Sequence, residues 1–62
     1  MEKSRRSWEL DLEAAEHYLG AIDNAMQRRR DEGNEVAVQR IHDTQRVAQQ
    51  SKVDKIRRIL GK

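Results

Sequence analysis

Apolar side chains recur in the first half of the chain with a fixed register. Trp8, Leu12, Ala15, Leu19, Ile22 and Met26 follow one another at intervals of four, three, four, three and four residues. This is the a/d seam of a heptad pattern, and it predicts an amphipathic helix over about 8–30. A second stripe runs beside it, Ala14, Tyr18, Ala21 and Ala25, again spaced four, three and four. At about 100° per residue the two stripes together span close to half of the helix circumference, more than one neighbour needs. Gly20 falls outside both stripes and is read as tolerated in the helix.

The pattern stops at Arg28-Arg29-Arg30-Asp31-Glu32-Gly33-Asn34-Glu35. Arginines suit the last turn of a helix, where carbonyls lack partners and the dipole is negative. Gly33 can take the left-handed conformation that lets a chain leave a helix. Asn34 is a good N-cap, and Glu35 places a negative charge on the positive end of the next helix. Residues 31–34 are therefore read as the bend of a hairpin.

A second helix is predicted over about 35–60, stopped by Gly61. Its apolar positions are Val38, Ile41, Ala48, Val53, Ile56, Ile59 and Leu60, and its middle is weaker because Gln45, Gln49 and Lys52 fall on or near the same face. Buried glutamines need hydrogen-bond partners, whereas a lysine stem can cover apolar surface while its charge reaches water. Ala37, Thr44, Ala48 and Ser51 make a small-residue stripe alongside. In an antiparallel hairpin Met26 is expected to face Val38 or Ile41, Leu19 to face Ala48, and Trp8 to lie near Ile56, Ile59 and Leu60. Residues 1–6 are polar and basic and are expected to form a flexible tail, with Ser7 as the helix N-cap and Ser4 as its rival.

Composition sharpens this picture in two ways. Charged residues reach 39% and aromatics only 3%, a balance that also suits disorder, so the heptad register is what argues for folding. With 62 residues, no cysteine and no proline, the chain allows one small domain with uninterrupted helices and no disulfide or thiolate metal site. A two-helix core this thin is usually completed by association. No apolar run approaches membrane-span length and no secretory signal is apparent, so a cytoplasmic protein without membrane contact is expected.

Charge supports the antiparallel arrangement. From Glu9 to Asp23 there are five acids and no Lys or Arg, and from Lys52 to Lys62 five cations and one acid. A hairpin closed at Gly33 brings these segments together, whereas a parallel pairing sets acid against acid.

Candidate chemistry is sparse. Glu13 and His17 lie one helical turn apart and His42 adjoins Asp43, but two ligands do not make a zinc site. No nucleophile–base pair and no glycine-rich phosphate loop is present, so no enzyme activity and no cofactor are expected. The candidate nucleic-acid contacts are Arg5 and Arg6 in the tail and Arg46, Arg57 and Arg58 in the second helix, with Asp43 and Asp54 among them as repelling neighbours. Arg28–Arg30 are read as a helix end balanced by Asp31 and Glu32.

The sequence thus predicts an all-α, antiparallel two-helix hairpin that dimerises into a four-helix bundle. Its interface would be formed by Ala14, Tyr18, Ala21, Ala25, Ala37, Thr44, Ala48 and Ser51. The function expected is protein–protein interaction, as a small regulator or adaptor binding itself and a further protein. The alternative is a nucleic-acid-binding regulator.

Overall fold

The computed structural model describes residues 3–62. Helix α1 runs Arg5–Asp31, helix α2 Glu35–Ile41 and helix α3 Val47–Leu60, with a π-helical segment, His42–Arg46, joining α2 to α3 without a break. α1 packs against α2, the π segment and α3 in turn, which makes an antiparallel hairpin measuring 45 × 20 × 15 Å. There is no strand among the described residues.

The bend is a Schellman motif. The Gly33 amide donates to the Arg30 carbonyl and the Asn34 amide to the Arg29 carbonyl, both at 2.9 Å. Gly33 supplies the φ of 76° that this geometry demands. Asn34 then caps α2, its side-chain oxygen accepting from the Ala37 amide at 3.1 Å. Gly61 ends α3 in the same way, at φ 73°, with amide bonds back to Arg57 and Arg58.

At the other end the structure departs from the Ser7 cap. Ser4 is the N-cap, accepting from the Ser7 amide at 3.2 Å, and the helix already includes Arg5 and Arg6 of the expected tail. The earlier start lets Arg5 and Arg6 reach Glu9, at 3.3 and 3.9 Å, and lets Arg5 donate to the Leu60 carbonyl at 3.3 Å. Of the expected tail, Met1 and Glu2 lie outside the described residues.

The buried side chains are Leu12, Ala15, Ile22, Val38, Val53, Ile56 and Leu60, none of them polar. Five of these, Leu12, Ala15, Val53, Ile56 and Leu60, form one cluster with Trp8 and Leu19 packed against it. Val53 is completely enclosed, a burial worth about 1.5–3 kcal/mol.

The π segment explains why the middle of the second helix reads weakly. Val38, Arg46, Val53 and Leu60 are separated by eight, seven and seven residues, and Ile41, Gln49 and Ile56 by eight and seven. Both series skip one residue, and both skip it at the π segment, where the Val47 amide bonds to the His42 carbonyl one residue beyond the α-helical partner. The wider turn absorbs the residue that would otherwise rotate the two halves out of phase. The Thr44 hydroxyl occupies the Arg40 carbonyl at 2.6 Å.

One expected contact changes as a result. Ala48 is exposed rather than facing Leu19, and Gln49 takes the inward position, its amide donating to the Ala15 carbonyl at 3.1 Å. Ile56 and Leu60 are buried in the cluster against which Trp8 packs, while Ile59 is 46% exposed. Gln45 is exposed as well.

Two pairs of variants test this description. Gly33→Ala should destabilise by about 1–2 kcal/mol, since open space around the Cβ leaves only the positive-φ strain. Gly20→Ala, also in open space but inside α1, should stabilise by about 1 kcal/mol. Thermal melts showing equal effects at both glycines would misplace the bend. Deleting Gln45 should leave helical content and melting temperature nearly unchanged, because it removes the surplus residue of the π segment. Inserting one alanine after Gln45 adds a further rotation of about 100° and should lower the melting temperature sharply. A deletion as damaging as the insertion contradicts the register assigned above.

Candidate interaction surface

The two long sides of the hairpin differ. On one side acids of α1 meet arginines of the second helix. Glu16 pairs with Arg57 at 3.2 Å and Asp23 with Arg46 at 2.7 Å. Arg46 is drawn further inward by the π segment, reaches Gln50 at 2.8 Å and leaves its side chain 28% exposed. Gln50 passes the contact on to Asp54 at 2.9 Å. These bonds close the seam along that side.

On the opposite side, no ion pair joins α1 to the second helix among the described residues. A residue one position before a core residue points about 100° away from it, and in antiparallel helices this rotation leads both helices to the same side. Ala14, Tyr18, Ala21 and Ala25 stand in this relation to Ala15, Leu19, Ile22 and Met26, and Ala37, Ala48, Lys52 and Lys55 to Val38, Gln49, Val53 and Ile56. Toward the open end of the hairpin this side forms a groove of about 620 Å³. Its floor holds Ala14, Ala15 and Ile56, its aromatic walls are Trp8 and Tyr18, and Lys3, Lys52 and Lys55 stand on its rim with Asp11. Lys3 pairs with Asp11 and lies 4.4 Å from the centre of the Trp8 ring, a cation–π contact that covers one end of the groove.

The structure therefore gathers part of the sequence-predicted interface and disperses the rest. Ala14 and Tyr18 line the groove, and Tyr18 is 55% exposed. Ala21 and Ala25 continue the same line toward the bend, exposed and half-buried respectively, and Ala37 is half-buried across from them on α2. Ala48 is exposed near the inner end of the groove. Ser51 lies elsewhere, in a shallower hollow with Val47, Gln50, Asp54 and Arg58, and Thr44 is exposed on the π segment. The residues that sequence reasoning missed are Lys52 and Lys55 as a cationic rim. Their position depends on the register shift, which only the phase mismatch between Val38 and Val53 betrays.

The cations weighed for nucleic acid are largely engaged within the chain. Arg5 and Arg6 bond to Glu9, Arg46 to Asp23 and Arg57 to Glu16, which leaves Arg58 without an ion-pair partner among the described residues. Arg29 pairs with Glu32 at 3.1 Å and Arg30 bonds to Gln27, so the arginine run is tied to its own helix end. His42 bonds to Asp43 at 3.1 Å, while Glu13 and His17 are exposed. Among the described residues no group of three or more His, Asp or Glu side chains is disposed to hold a metal ion. Among the described residues no helix is long and apolar enough to cross a membrane.

Comparison of the chain with protein-family models, curated proteins and solved structures found no match. The functional reading rests on the geometry alone.

The ion pair on the closed side gives a direct check. A double-mutant cycle on Asp23 and Arg46 should return a coupling of about 0.2–1 kcal/mol, the range for partly exposed pairs, and the coupling should shrink as salt is raised. A coupling of zero at low salt would show that this bond does not hold the seam.

Proposed function

We propose that the chain is a small, non-enzymatic protein–protein interaction module, a regulator or adaptor, and that it acts as a self-associating helical hairpin. The observation that carries this reading is the asymmetry of the two sides: one is closed by interhelix ion pairs, and the other presents an apolar stripe with nothing packed on it. A stripe of this kind in water costs solubility, and burial against another helical surface is its ordinary resolution.

The bend half of the open side suits a second copy. Ala21 and Ala25 carry no bulk beyond the β-carbon, and neither does Ala37 opposite them, so two backbones can approach closely. A twofold axis near Ala21 and Ala25 lays α1 antiparallel on its copy and makes the contact self-complementary. With that axis the copy's α1 overlaps residues from about 15 to the bend, so Tyr18 lies toward the edge of the contact and the Trp8 end of the groove beyond it.

Thermal unfolding at a series of protein concentrations tests the proposal. An associating chain should melt higher as concentration rises. Ala21→Glu, which places a charge in the shared stripe, should abolish that dependence and lower the melting temperature. Gly20→Glu, on the ion-paired side, should keep the dependence. A melting temperature independent of concentration in the unaltered chain contradicts self-association. Equal loss from both variants contradicts the choice of side.

A further inference from the structure

We infer that the groove at the open end of the hairpin is a docking site for an acidic amphipathic helix of a second protein. This rests on the reading of the open side as an interaction surface, and it does not depend on the dimer contact nearer the bend.

Shape supplies the first argument. The groove runs between two antiparallel helices, which is where a third helix packs to complete a core. Its floor of Ala14, Ala15 and Ile56 is apolar and low, so an incoming helix can sit close to both backbones. Trp8 and Tyr18 bound it with large apolar surfaces and a polar tip each, the residue types that anchor interfaces. A third helix laid here adds the neighbours that Trp8, half-buried at the end of the core, lacks.

Charge supplies the second argument and selects the partner. Lys52 and Lys55 have no ion-pair partner among the described residues, while Lys3 is held by Asp11 at the groove mouth. The rim thus offers two uncompensated cations beside an apolar floor. An amphipathic helix with acids flanking its apolar face satisfies both features at once, whereas a basic helix sets like charges together. A second copy of this chain is a poor source of that acid. Of the five acids from Glu9 to Asp23 in α1, Glu9, Asp11, Glu16 and Asp23 are already bound to Arg5, Lys3, Arg57 and Arg46. Only Glu13 remains, and it follows Leu12 by one position, about 100° round toward the ion-paired side and away from the groove. Two grooves brought face to face would also oppose lysine to lysine. An acid-flanked helix of another protein supplies what α1 of a second copy does not.

The test uses the full chain and two synthetic peptides that share one helical pattern of Leu and Ala. One carries Glu on both flanks of the apolar stripe, the other Lys. Trp8, the one tryptophan in the chain, reports occupancy through its emission and its quenching by acrylamide. The Glu peptide should shield Trp8 and bind at least ten-fold more tightly than the Lys peptide, with the difference narrowing at high salt. The double variant Lys52→Glu/Lys55→Glu, with helicity checked by circular dichroism, should invert the preference. Because inversion is a gain of binding to the Lys peptide, an unfolded variant cannot imitate it. Equal binding of both peptides to the unaltered chain overturns the acidic partner but leaves an apolar interaction surface standing. A short single-stranded oligonucleotide that displaces the Glu peptide and itself shields Trp8 overturns it in favour of a polyanion. No shielding of Trp8 by either peptide, together with a melting temperature independent of protein concentration, removes both this inference and the interaction reading.

Discussion

Two helices laid side by side bury only the seam along which they touch, and in a molecule 15 Å thick there is no second layer to cover anything else. That constraint governs the rest of the structure. Among the described residues seven are buried, all apolar, and they lie along the contact between α1 and the second helix. Trp8, Leu19, Ala25, Met26, Ala37 and Ile41 are half-buried along its margins, and Leu10, Tyr18, Val36, Val47 and Ile59 face water. The chain lengthens its seam as far as it can, from Trp8 near one end to Val38 beside the bend. It accepts a π-helical segment in order to keep the two halves of the second helix in phase with α1.

Seam and bend were legible in the sequence for clear reasons. Leu12, Ala15 and Ile22 follow a heptad without interruption, and a straight α-helix preserves that spacing. Gly33 followed by Asn34 marks a helix end and a helix start by local chemistry alone. The π segment was not legible, because heptad reasoning assigns the same rotation to every residue. Its trace was the awkward middle, where Gln45 and Lys52 appeared to face inward. In the structure Gln49 turns in and bonds to the Ala15 carbonyl, while Lys52 moves to the rim of a groove. The N-terminus was misread for a different reason. Acids at Glu9, Asp11 and Glu13 suggested a first turn, but long cationic side chains from Lys3, Arg5 and Arg6 reach Asp11 and Glu9 and favour a cap at Ser4.

Electrostatics divides the surface as firmly as packing divides the interior. The acidic face of α1 is spent on arginines of the chain itself, Arg57 and Arg46 along one side and Arg5 and Arg6 at the open end. Each exposed bond contributes about 0–1 kcal/mol, so their effect on stability is small. Their effect on shape is larger. They fix which side of the hairpin is closed, and they leave the lysines of α3 unmatched beside the apolar stripe of α1. The open side is thus apolar along its centre and cationic along its edge, the features that the proposed partner is chosen to match.

The central claim is that the open side is covered in solution. Sedimentation equilibrium of the unaltered chain at tens of micromolar tests it most directly, since it reports mass without a label or a substitution. The account predicts a species with the mass of two chains, dissociating on dilution. A single species with the mass of one chain across the accessible range would contradict it.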